Sequence, residues 1–385
     1  QADALAREAG ASFFPQIDGS AGISNTKAST RTATFVATQP RIRQSRSIGL
    51  STSFELDVWG RIRRANEAAR ATLLASQYSR DAIRLSIAGL VADTYLALRA
   101  YDAQLVVTAE TVKTREESLK LVKTRVDAGL ASPLDGYQAE GLLAAAEAQL
   151  AEQRRLRTLA EHQLALITGN PALKIAAGDL KQLPLLPEAP AGLPSDLIEG
   201  RPDVRQAEQE LVAANAGIGM AKAGYFPKFT LTGSLGTESR TLSDLFSVGS
   251  NTWSLGLGAL MPILDFGRTS ARVDQAKAIN QQSLIAWQDS LQTAYKEVRD
   301  ALVSLREYGE EEKAQSTRVD RAEKAMAIAR LRYEAGHTGY LEVLDAQRSL
   351  NDAQLAAIGV RQARLSSSVG LFKALGGGWK ADTPS

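Results

Sequence analysis

Between Ile48 and Val58 the chain alternates strictly. Ile48, Leu50, Thr52, Phe54, Leu56 and Val58 fall on one face; Gly49, Ser51, Ser53, Glu55 and Asp57 fall on the other. A period of two is the signature of a strand with one apolar and one polar face. A second alternating run sets Trp253, Leu255, Leu257, Ala259, Met261 and Ile263 against Ser254, Gly256 and Gly258, opposite a partner at Phe226 to Thr237. Phe13 to Thr26 precedes the first run across a Thr- and Ser-rich loop. The pattern predicts two β-hairpins, over 13–58 and 226–264. Four strands cannot close a barrel, and an isolated hairpin is only marginally stable, so both hairpins need neighbours, most simply from other subunits.

The remaining pattern has a period of seven. From Trp59 to Ala128 there is no proline, and glycine occurs only at positions 60 and 89, which predicts about 70 helical residues, roughly 105 Å at ~1.5 Å each. Val91, Leu98, Leu105, Val112, Leu119 and Val126 recur every seventh residue, the spacing of a coiled-coil seam. Adding 207 to each number gives Val298, Leu305, Glu312, Val319, Met326 and Tyr333, a second seam broken once, at Glu312. The same offset pairs Arg125 with Arg332, Gly129 with Gly336, Arg157 with Arg364, and the acid Asp135 with Glu342. The chain is therefore two copies of one unit.

The first copy spans 1–169, with helices over 59–128 and 131–168. A proline-rich linker, 170–194, crosses to the second copy, 195–376, whose helices are predicted over 195–223, 266–335 and 338–375, and 377–385 is a polar tail. Ser195 is the expected cap of the helix over 195–223. Arg157 and Arg364 interrupt the apolar spacing of the returning helices, which predicts salt-bridged or lumen-facing side chains. Gly129 and Gly336 sit where one helix must end and the next begin, so each is expected to adopt a positive backbone dihedral.

Composition narrows the function by exclusion. Net charge is +2, from 45 basic and 43 acidic residues interspersed along the helices, which leaves no basic stripe for nucleic acid. With no cysteine and two histidines, His162 and His337, the chain offers no thiolate or histidine-rich metal site and no cysteine nucleophile; no cofactor is expected. No phosphate loop or serine–histidine arrangement emerges, so an enzyme is not expected. No run of about 18 apolar residues is present, which leaves a closed β-barrel as the way to cross a bilayer. Ala2 to Ala9 reads as the tail of a helix, so a preceding segment with a signal peptide or a lipidated (palmitoylated) cysteine is expected.

Five stretches carry a resemblance: Leu193 to Pro227, FELDVWGR (Phe54 to Arg61), PILDFGR (Pro262 to Arg268), YLEVLDAQRSL (Tyr340 to Leu350) and LFKALGGGW (Leu371 to Trp379). Together they cover the chain in order, and the chain resembles the TolC-like outer-membrane efflux proteins of the OprM-type branch. The resemblance implies a mainly α fold with membrane β: a homotrimer in which four strands per subunit build a 12-stranded barrel in outer-membrane lipid, continued by a periplasmic α-helical barrel. It implies a passive exit duct for drugs or other solutes, coupled through a periplasmic adaptor to an inner-membrane pump of the RND type. Adaptor contacts would fall at the tips, on Arg125, Gly129, Leu130, Ala131 and Ser132 and on Arg332, Gly336, His337, Thr338 and Gly339. A gate would be formed by Leu341, Glu342 and Asp345, whose spacing puts Leu341 and Asp345 on one helix face and the two acids close together. A helix N-terminus favours acids through its dipole and caps and accounts for one of them; the resemblance implies the pore role for Asp345, and Glu342 stays open between the two readings. Two alternatives stay open: the same fold serving type I protein secretion, and a coiled-coil scaffold without a channel.

Overall fold

A computed structural model of the chain describes residues 1–31, 38, 40–184 and 200–377. The elements are α1 (Ala2–Ala11), β1 (Gln16–Lys27), β2 (Ile42–Leu56), α2 (Arg61–Asp127), α3 (Pro133–Thr168), a 3₁₀ turn (Leu180–Gln182), α4 (Pro202–Ala223), β3 (Lys228–Ser239), β4 (Asn251–Leu260), α5 (Arg268–Glu334) and α6 (Tyr340–Ala374). They divide into two compact units, Gln1–Tyr78 with Arg205–Asp289 and Ser79–Val204 with Ser290–Ser385.

The first unit is built on one antiparallel sheet in the order β1-β2-β3-β4. The sequence predicts two separate hairpins. In the structure they pair with each other, Ile48 opposite Thr237 and Leu56 opposite Phe229, so half of the missing neighbours come from the same chain. Gly49 faces Gly236 in this pairing, and a Cβ on Gly236 would lie 2.5 Å from the Ile48 carbonyl oxygen, so only glycine fits this crossing. The register gathers the apolar residues of all four strands on one face. Ile17 and Ile23, Ile48, Leu50 and Leu56, Leu231 and Leu235, and Trp253, Leu255 and Leu257 are all exposed there. The opposite face carries Asp18, Ser51, Ser53, Thr230, Thr232, Ser234 and Ser254.

At the base of the sheet the chain turns into the long helices through two aspartates. Asp57 accepts from the backbone N–H of Ile62 (2.8 Å) and Arg63 (2.9 Å), and Asp265 from those of Gly267 (3.0 Å) and Thr269 (2.9 Å), so each carboxylate satisfies otherwise orphaned helix donors. The second copy has one residue fewer between the capping aspartate and its glycine, and Phe266 absorbs the difference with a φ of 52°, uncommon for a residue with a side chain. Trp59 stacks on Phe226 at 4.4 Å and donates its indole N–H to the Pro227 carbonyl.

The second unit holds two helical hairpins, formed by α2 from Ser79 onward with α3 and by α5 from Ser290 onward with α6. Every member of both predicted seams is buried or half-buried, Glu312 included. Glu312 is tolerated there because Arg361 (3.2 Å) and Arg364 (2.7 Å) neutralise it. Its counterpart network is centred on Asp102, which accepts from Arg99 and Arg157, while Arg157 also reaches Glu161. Arg157 and Arg364 are thus salt-bridged. Leu180 buries against Leu96, Ala100 and Leu365, which seats the start of the linker on the helices. The expected start of a helix at Ser195 and the tail beyond Gly377 lie outside the described residues. α4 itself begins only at Pro202, with Gly200 and Arg201 outside the helix, because the residue before a proline is pushed out of the helical region. Among the described residues no helix is long and apolar enough to cross a membrane.

Candidate gate and docking tips

The two glycine turns at the ends of α2 and α5 have the same backbone. Gly129 has φ 71° and Gly336 has φ 76°; the N–H of Leu130 bonds the Arg125 carbonyl and that of His337 bonds the Arg332 carbonyl, while Gly129 and Gly336 each close a tighter bond inside. Both are glycine-terminated ends of the Schellman type, as positive φ at a helix C-terminus demands. The following helices start differently. Ser132 caps α3 with a reciprocal box, its Oγ accepting from Leu134 and Asp135 accepting from the Ser132 N–H. Gly339 leads into α6 without a side-chain cap, and the buried Thr338 hydroxyl has no partner.

Between the tips lies a small core of Val122, Ala139, Tyr333, Tyr340, Val343 and Leu344. The Tyr333 and Tyr340 rings meet at 5.4 Å, and burial, reinforced by Tyr333, pushes the Tyr340 phenol up to about 12. Arg125 fastens the first tip to the second: its Nη1 donates to the Tyr333 carbonyl at 2.8 Å, and its guanidinium lies 4.6 Å from the centre of the Tyr333 ring. The repeat pairs Arg125 with Arg332, yet Arg332 bonds Glu342 instead, at 3.3 Å. That division of labour is invisible in the alignment of the two copies, although Tyr333 in place of Val126 is the one aromatic in either seam and marks the spot.

Of the predicted tip residues, Gly129, Leu130, Ser132, Arg332, Gly336, His337 and Gly339 are exposed, with Leu130 at 73 %; Arg125, Ala131 and Thr338 are partly covered. Leu341, 64 % exposed, stands with Glu342 and Asp345 on the outside of the first turns of α6, and Asp345 has no ion-pair partner among the described residues. Beside the tips α2, α5 and α6 enclose a groove of about 570 Å³, lined by Thr111, Arg115, Glu323, Arg330, Gln347 and Asn351. Arg115 is buried there without a carboxylate: Nη1 donates to the Leu142 carbonyl, Nε has no partner, and burial lowers its pKa.

The sequence pattern described as outer membrane efflux protein matches residues 1–170 and 193–377. The chain belongs to the outer membrane efflux protein family. Among individual members it is 37% identical over 380 residues to the solvent efflux pump outer membrane protein SrpC of Pseudomonas putida, covering 98% of this chain and 80% of that one. It is 37% identical over 341 residues to the outer membrane protein OprJ of Pseudomonas aeruginosa, covering 88% and 71%. The open state of the MtrE outer membrane channel of Neisseria gonorrhoeae superposes with a TM-score of 0.89 at 32% identity, over 100% of this chain and 85% of that one. An outer membrane efflux protein is a channel and not an enzyme, its sheet in the outer membrane and its helices in the periplasm.

Proposed function

We propose that three copies of this chain close a 12-stranded barrel, and that the barrel continues into a helical duct whose narrow end is gated at the α6 tip. The observation that carries the reading is the sheet itself: it has one apolar and one polar face, and its two outer strands, β1 and β4, have an unpaired edge. Joining β4 of one copy to β1 of the next removes all six edges and leaves the apolar faces to lipid. The gate is assigned to Leu341, Glu342 and Asp345. Threefold symmetry makes Asp345 a ring of three carboxylates, which favours cations, with the Leu341 side chains as an apolar collar. Glu342 contributes less to that field because Arg332 holds it.

The exposed tip residues Gly129, Leu130, Ser132, Arg332, Gly336, His337 and Gly339, with the partly covered Arg125, Ala131 and Thr338 beside them, are assigned to a periplasmic adaptor that links the duct to an inner-membrane pump of the RND type. Relatives bearing the names of solvent, toluene and antibiotic efflux pump proteins support a cargo of small organic molecules. Planar-bilayer recording tests the gate. The native protein should conduct weakly and prefer cations; Leu341→Ala should raise conductance, and Asp345→Ala should weaken both the preference and block by multivalent cations added on the helical side. Unchanged selectivity in the Glu342→Ala, Asp345→Ala double variant would reduce these acids to helix-terminus residues.

A further inference from the structure

The end of the sheet remote from the helices is strongly cationic. Residues 24–46 and 238–251 hold six basic side chains, Lys27, Arg31, Arg41, Arg43, Arg46 and Arg240, against two acids, Glu238 and Asp244, an excess larger than the +2 of the whole chain. Both acids are engaged by hydroxyls: Glu238 accepts from Ser45 (2.6 Å), and Asp244 from Thr241 (2.6 Å) and Ser243 (3.2 Å).

The position of these cations along the strands is specific. On β2 the apolar face runs from Leu56 to Ile48, nine residues, the length a tilted strand needs to cross a bilayer core. Arg46 is the next residue on that same face, paired with Ile23, and Lys27 ends the matching row of β1. Arg46 also donates to the Arg240 carbonyl at 3.2 Å, which draws the start of the β3–β4 loop to the same rim. That loop is ordered by its own bonds, Ser250 Oγ to the Leu245 carbonyl among them, yet it leaves Leu242, Phe246 and Val248 exposed, at 69 %, 78 % and 105 %. Exposed apolar side chains interleaved with cations at the limit of an apolar band are the composition of a segment that lies at an anionic lipid interface.

We propose that this rim, Lys27, Arg31, Arg41, Arg46 and Arg240, binds the phosphates of the phosphorylated glycolipid in the outer leaflet of the outer membrane, with Leu242, Phe246 and Val248 resting against its acyl chains. The proposal rests on the barrel reading, because only a membrane-spanning sheet brings the rim to that leaflet.

The test uses the full chain reconstituted in neutral phosphatidylcholine vesicles doped with one of three lipids: a bisphosphorylated glycolipid of the lipid A type, the same glycolipid with its phosphates removed, or phosphatidylglycerol. Glycolipid retained per chain is read by native mass spectrometry after mild detergent extraction. Retention should follow the phosphates of the glycolipid. It should weaken about fivefold for each of Lys27→Gln, Arg46→Gln and Arg240→Gln, and survive Arg46→Lys with Arg240→Lys. Equal retention of the dephosphorylated glycolipid would overturn the proposal in favour of acyl contacts alone, and equal displacement by phosphatidylglycerol would replace it with a general lipid-phosphate rim. Loss of retention in the conservative lysine variant would mark a structural role for the arginines and also overturn it. Native protein that forms no conducting channel in the same vesicles would sink the barrel reading itself, a result separate from these.

Discussion

Removing the Arg125 side chain tests the tie between the two tips. Arg125→Ala deletes a charge-assisted hydrogen bond to the Tyr333 carbonyl and a guanidinium resting on the Tyr333 ring. A hydrogen bond to a charged group contributes ~1.5 kcal/mol or more, and a cation over an aromatic face at a partly covered site about 0.5 kcal/mol. The arrangement in which the two tips are tied should therefore lose about 2 kcal/mol, which shifts its equilibrium with an untied one roughly 30-fold; on the gate reading proposed above the tied arrangement is the closed one. Single-channel recording should show the open fraction rising by that order while trimer assembly is unchanged. Tyr333→Phe is the control. It keeps both the carbonyl and the ring, and it removes a buried hydroxyl that has no partner, so it should leave gating alone and stabilise the fold slightly. If Arg125→Ala left the open fraction unchanged, or if Tyr333→Phe opened the channel as much, the tie would not hold the tips closed.

Three further outcomes are expected. Gly236→Val should prevent β2 from pairing with β3, because its Cβ would collide with the Ile48 carbonyl, and protein that no longer migrates as a heat-modifiable species after refolding into detergent would report it. Arg115→Met should leave stability unchanged or raise it by about 1 kcal/mol in chemical denaturation, since the buried guanidinium has no carboxylate partner; clear destabilisation would mean that the hydrogen bond to Leu142 outweighs the burial cost. The third concerns pH. Burial acts to raise the Asp203 pKa, but the Arg201 guanidinium outweighs it and holds the carboxyl below its ordinary value, so its stabilisation is present in full above the unfolded-state value near 4 and fades as pH falls through the folded value. Asp203→Asn should therefore lower thermal stability at pH 7, where the carboxylate's contribution is present in full, and make little difference at acid pH, so that the loss of stability below about pH 4 is flatter than in the native protein.

Much of the fold was legible in the sequence, because strand and helix periods differ and because duplication repeated each signal. The 207-residue offset identified both glycine turns and their positive dihedrals. It could not reveal how the copies differ. Arg125 and Arg332 align, but one reaches a backbone carbonyl of the other copy and the other a glutamate of its own. Glu312 looked like a defect in the seam because its neutralising arginines lie about fifty residues away. Alternation told which residues share a face, but not that β2 would find β3, since cross-strand register depends on a Gly49–Gly236 approach that no single strand encodes. The boundary of α4 at Pro202 is legible in the Arg-Pro pair, since the residue before a proline leaves the helical region.

The pairing of β2 with β3 also sets the order of events in biogenesis. Because all three pairings of the sheet are made within one polypeptide, and the proposed barrel would add only one more per chain, a newly exported chain can form its four strands before it meets another copy. What it then carries through the periplasm is a sticky half-product, with a greasy outer face and a bare row of peptide groups along β1 and another along β4. If three such chains assemble, as proposed above, their association depends steeply on concentration, whereas mispairing needs only two. Such a half-product needs a holding chaperone to shield its edges, and overproduction beyond that capacity should yield aggregates rich in intermolecular strand before it yields more channel.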